Sequence, residues 1–136
     1  MTAERVVGQL QRIRVVVATR DQGFRASASA VLASHGFLVE TTDKSSRVPE
    51  LIGRTRADVV VVDGCQSPCA VAHVIAVLAA IARPIGLLVV ADDDAPDWVA
   101  PLSPLRKQDL PETLVPAVER AFIASSEVRS AVAALH

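Results

Sequence analysis

Aromatic residues make up only 3% of the 136 positions, against 51% for apolar residues as a whole. A core of stacked rings is excluded, and Val, Leu, Ile and Ala must fill the interior, which suits strands and helices packed in layers. Neither sign of charge is in excess, with 14 Lys and Arg against 15 Asp and Glu and a formal net charge of −1. Without a basic field, direct binding of nucleic acid is not expected. No apolar run approaches the ~18 residues of a membrane span, and Met1 to Gln11 lacks the apolar stretch of a secretory signal. The chain is therefore expected to be cytoplasmic, with no membrane partner. Its two cysteines, Cys65 and Cys69, are too few for a disulfide framework and read as reduced thiols. A Gly-rich phosphate loop and a Gly-x-Ser-x-Gly elbow are both missing.

What is present is an alternation. Apolar runs rich in β-branched residues are followed by longer segments whose apolar residues recur every three or four positions. Ile13 to Ala18, Phe37 to Thr41, Asp58 to Val62 and Ile85 to Ala91 read as four buried strands, and Trp98 to Leu102 as a weaker fifth. Runs that are apolar on consecutive positions suit parallel strands covered on both faces. The first helix is predicted to start from Asp21 as N-cap, to bury Phe24, Ala28, Val31 and Leu32, and to close at His35 and Gly36. A short second helix is expected from about Arg47 to Gly53. A third, from about Ala70 to Ala82, is apolar nearly all round, as a buried helix would be. Between the fourth and fifth strands, Asp92 to Asp97 is too short and too broken for a full helix. In the last helix, Asp109 and Glu112 have capping-box spacing, and Pro116 must kink the helix or move its start to Thr113.

Five strands joined by right-handed crossovers leave few sheet orders. The flavodoxin-like order 2-1-3-4-5, in a three-layer α/β sandwich with a five-stranded parallel sheet, fits this length best. Ligands of such sheets sit at the carboxyl ends of the strands. That directs attention to Thr19, Arg20 and Asp21, to Asp63 and Gly64, to Val89 through Asp94, and to Leu102 through Pro104.

Over roughly Ile13 to Ala124 the chain resembles the CheY-like receiver domains of two-component response regulators. IRVVVATRDQGFRASASAVLASHGF is similar to the family's first strand and helix, and ADVVVVDG to its third strand with the terminal phospho-accepting aspartate, here Asp63. Pro68 resembles the proline after the acceptor loop, one position late, Ser103-Pro104 the Lys-Pro that ends the fifth strand, and LPETLVPAVERAF the final helix. The resemblance implies a signalling domain, not an enzyme, phosphorylated on aspartate by a histidine kinase. That chemistry needs a Mg²⁺ held by an acidic pair and donors for the phosphoryl group.

Here the acidic pair falls on Thr19 and Arg20, the hydroxyl residue of the fourth strand on Val89 or Val90, and the lysine on Ser103. Three supporting elements are thus replaced around Asp63. The reading is an atypical receiver, or pseudo-receiver, that signals by protein contact, with Arg20 expected to pair with Asp63 in place of a metal ion. No cofactor follows from it. Alternatives stay open: a working phospho-receiver using Asp21, Asp63 and Asp92 to Asp94, the only case that requires Mg²⁺, with Asp21 and Asp63 as its weak metal candidates, or a small-ligand sensor using the vestigial phosphate pocket. Without the resemblance, Asp63 is a strand-end turn residue.

Other patterns say less. Cys65, Cys69 and His73 recur every fourth residue, which on one continuous helix would align metal ligands, but Pro68 interrupts the run and a fourth ligand is missing. Asp92, Asp93, Asp94 and Asp97 read as a solvated loop and His35 as a helix cap. Residues 11–124 are assigned to the receiver-like domain and 125–136 to a C-terminal helical extension or linker stub. Leu114, Val118, Ala121, Ser125, Val128, Val132 and Leu135 alternate spacings of four and three, a seam through which the final helix would form a homodimer. The other expected partner is a protein, either a histidine kinase or a regulator or output domain.

Overall fold

The computed structural model describes residues 13–64, 68–92, 97–102, 104–109 and 112–134, apart from the side chains of 102 and 126–134. Strands β1 (Arg14–Ala18), β2 (Leu38–Thr42), β3 (Val59–Asp63), β4 (Gly86–Ala91) and β5 (Leu105–Arg106) form one sheet of order 2-1-3-4-5. Every pairing is parallel. Helices α1 (Gln22–Ser34), α2 (Val48–Thr55), α3 (Pro68–Ala80) and α4 (Leu114–Ala134) complete the layers. The fold class and strand order expected from the sequence are those observed.

Period-two alternation divides the β-branched runs between two cores. Val15, Val17, Val59 and Val61 face α1 and α4, where Phe24, Ala28, Leu32, Leu114 and Val118 meet them. Val16, Ala18, Val60 and Val62 face α2 and α3, against Val48, Leu51, Ile52, Val71 and Val74. Both faces of β1 and β3 are buried, which is why their sequences are apolar without interruption.

Asp21 caps α1 as expected, its Oδ1 accepting the Phe24 N–H at 3.0 Å, and His35 is the C-cap. Helix α4 begins at Leu114, with Pro116 inside the first turn, where amide N–H groups have no helical acceptor to lose. Asp109 instead belongs to a 3-10 turn, Lys107–Asp109, so the expected capping box does not start the helix. Helix α4 also runs unbroken across the boundary drawn at 124/125, and Ser125 is buried.

Two expectations are corrected. Trp98 to Leu102 is not a strand: Asp97–Leu102 is a 3-10 segment, and β5 lies beyond it, at Leu105 and Arg106. Val99 sits within 2.8 Å of where a Cβ on Gly64 would lie, so the segment packs as a plug over the β3 and β4 ends, and Pro101 cannot donate to a ladder. Helix α3 is not enclosed either. Only Val71 and Val74 are buried, and Ile75 is 37% exposed; among the described residues of the β4–β5 connection no α-helix lies beside it.

Candidate functional site

The carboxyl ends of β1, β3 and β4 bring Thr19, Asp63 and Asp92 to one corner, and the turn after β5 adds Lys107. Asp63 ends a strand buried along its whole length and is itself 3% exposed. Its Oδ2 accepts a hydrogen bond from the Thr19 hydroxyl at 2.7 Å and one from Lys107 Nζ at 2.7 Å. Thr19, fully buried, is held by the Asp21 N–H, which donates to its Oγ1 at 3.0 Å. Lys107 Nζ also reaches Asp21 Oδ2 at 3.1 Å and Asp92 Oδ2 at 3.7 Å, and lies 5.3 Å from the centre of the Phe24 ring.

One ammonium thus ties three carboxylates from three different loops. Burial alone would lower the Lys107 pKa, but the hydrogen bond and charge of Asp63, together with Asp21 and Asp92, outweigh it and raise the value above 10.5. Asp21 is held below its ordinary value of 3.8, first by the Phe24 N–H and next by Lys107.

The expected pair between Arg20 and Asp63 does not form. Arg20 is exposed and has no ion pair among the described residues, because β1 ends with Thr19 turned inward and the next side chain turned to solvent. Lys107 supplies the cation instead. The lysine assigned to Ser103 is therefore present four positions later; Ser103 itself lies outside the described residues, and Pro104 precedes β5. Val89 and Val90 are buried in apolar clusters, and β4, Gly-Leu-Leu-Val-Val-Ala, carries no hydroxyl that could reach a phosphoryl group. Cys69 and His73 sit exposed on α3, which begins at Pro68, and Cys65 lies outside the described residues, as do Asp93 and Asp94.

Mg²⁺ does not fit this donor set. The two positions that would carry its ligands hold a threonine already bonded to Asp63 and an exposed guanidinium, and the Asp63 oxygen facing the corner is shared between a hydroxyl and an ammonium.

Solved structures with this architecture are numerous. The fold is that of a response-regulator receiver domain. The chain is similar to the chemotaxis response regulator CheY4 of Vibrio cholerae, at 17% identity over 81% of this chain and 98% of that one, with a TM-score of 0.66. It is similar to the beryllofluoride-activated NtrC4 receiver domain dimer, at 18% identity over 82% and 98% of the chains, with a TM-score of 0.70. The activated receiver domain of Klebsiella pneumoniae RstA matches at 21% identity over 80% and 97%, with a TM-score of 0.61. No family model and no curated protein matches the sequence.

Proposed function

We propose that the chain is a receiver-like module of two-component-type signalling that acts by contact with a protein partner, a histidine kinase or a regulator or output domain, and does so without phosphorylation. The observation that carries this reading is the engagement of Asp63 Oδ2 by both Thr19 and Lys107. A carboxylate that attacks phosphorus needs a divalent cation beside it and donors for the transferred group. Here the cation is a lysine fixed by three acids, and Thr19, Arg20 and the apolar end of β4 stand where the rest of the machinery would be. Intact mass after incubation with acetyl phosphate and Mg²⁺ tests it. The expected result is no adduct; a mass gain of one phosphoryl group that disappears in Asp63→Asn overturns the reading and restores the phospho-receiver.

A second reading has one observation in its favour. A cavity of about 550 Å³ opens beside Lys107 between α1 and the start of α4, with Phe24, Ala28, Val31 and Leu114 as apolar lining and Asp21 and Asp92 at its polar end. That size is in the range of small-molecule sites. Thermal stabilisation in a metabolite screen, lost in Ser27→Trp at the exposed rim of the cavity, would support a ligand sensor.

A further inference from the structure

The cavity beside Lys107 has an unfinished polar end. An ammonium carries three N–H donors. Lys107 Nζ donates to Asp63 Oδ2 at 2.7 Å and to Asp21 Oδ2 at 3.1 Å, while Asp92 Oδ2, at 3.7 Å, is beyond hydrogen-bond reach. One N–H of a side chain only 8% exposed is therefore left without an acceptor among the described residues, and Lys107 lines the cavity. It is the single cation on that lining, against Asp21 and Asp92.

The lysine does not make this end basic. Its shortest contact is with Asp63, which is no part of the lining, so the carboxylates of Asp21 and Asp92, 42% and 48% exposed, set the sign that an occupant meets. Asp21 stays ionised through the neutral range, since the Phe24 N–H and Lys107 hold its pKa below 3.8. The rest of the cavity is apolar. Phe24, Ala28 and Val31 of α1 face Leu114 of α4, and the small residues Gly23 and Ala30 leave the space between them open.

We infer that this cavity takes an organic cation, an amine on a compact apolar body with an oxygen beside the ammonium. The ammonium pairs with Asp21 and Asp92, the oxygen accepts the remaining Lys107 N–H, and the body lies between Phe24 and Leu114. An amino alcohol has this arrangement. A phosphate or carboxylate would accept from Lys107 equally well but would face two carboxylates, a like-charge contact that selects against it. A purely apolar molecule would leave the Lys107 donor unanswered. The inference rests on the ligand-sensor reading and deepens it by naming the class of ligand.

The test uses the whole chain and four probes of one shape: phenylethanolamine, phenethylamine, styrene glycol and mandelate. Binding, followed by the amide shifts of α1 and of Lys107 and Gln108, should be strongest for phenylethanolamine. Phenethylamine, which lacks the oxygen, should bind about fivefold more weakly, the worth of one hydrogen bond. Styrene glycol, which lacks the charge, should bind about tenfold more weakly, and mandelate should not bind. Ser27→Trp at the exposed rim should abolish binding. Asp21→Asn keeps a residue that caps helices and should shrink the preference for phenylethanolamine over styrene glycol about fivefold; an unchanged preference overturns the inference. If mandelate, styrene glycol or phenethylamine binds as tightly as phenylethanolamine, and Ser27→Trp removes both, the cavity is a ligand site and the inference on what it takes fails. If no probe binds at millimolar concentration, the inference and the ligand-sensor reading fail together.

Discussion

Strands β1, β2 and β3 pair in runs of four or five residues and β1 and β3 are buried on both faces, whereas β5 joins β4 over two residues and follows a 3-10 segment instead of a helix. The first part of the sheet is held by apolar burial, with Val16, Val17, Val60, Val61 and Val62 wholly enclosed. The last part is held by charge, since Lys107 at the end of β5 is anchored on Asp63 of β3, on the α1 cap Asp21 and on Asp92. Two lateral backbone pairs are a weak hold on an edge strand. The ion pair, with the Lys107 and Asp63 side chains only 8% and 4% exposed, makes up the difference. The same corner that holds Asp63 therefore also ties β5 to the rest of the sheet.

Removing that tie should have the largest effect. Lys107→Met leaves a buried carboxylate without its cation, and the expected loss is about 3–5 kcal/mol in denaturant titration. Exchange protection at Leu105 and Arg106 should disappear while the β1 and β3 amides stay protected. Equal loss across the sheet would show that the two parts are one cooperative unit.

Thr19→Val keeps the shape but leaves Asp63 and the Asp21 N–H each short of a partner. A cost of about 1–3 kcal/mol is expected from chemical denaturation, with the β1–β3 core intact by NMR. Asp21→Ala loses a helix cap and one arm of the corner, and about 1 kcal/mol should go with the cap alone.

The pH profile separates the acid from the base. Asp21 has its folded pKa depressed, so its contribution is complete above the ordinary 3.8 and is lost as pH falls through the lower folded value. Lys107 has its folded pKa raised, so its contribution is complete below 10.5 and is lost as pH rises through the folded value. Melting temperatures followed into alkali should therefore fall for the wild type and stay flat, from a lower start, for Lys107→Met. The smallest change is expected for Arg20→Ala, within about 0.5 kcal/mol, as for an exposed side chain without an ion pair among the described residues; a larger loss would return Arg20 to the site.

Local pattern was enough to specify the first part of the molecule. Unbroken Val runs can only be strands covered on both sides, Asp21 three residues before Phe24 is a cap, and five such strands with their helices admit few sheet orders. After β4 the sequence shows a run of acids around a proline, too short for a helix, of which residues 93–96 lie outside the described residues. What that run leads into was not legible. Trp98 and Val99 are as apolar as a strand, and only packing over Gly64 and β4 makes them a 3-10 plug. With the fifth strand placed on them, the site lysine was sought at Ser103. The available signal was that Lys107 is one of only two lysines in the chain. Which cation meets Asp63 depends on where a two-residue strand docks, and that is set by long-range packing, which no periodicity encodes. Sequence alone determined the layers, the strand order and Asp63 at a strand end; tertiary structure decided that β5 docks at Leu105 and Arg106 and that Lys107 rather than Arg20 therefore neutralises Asp63.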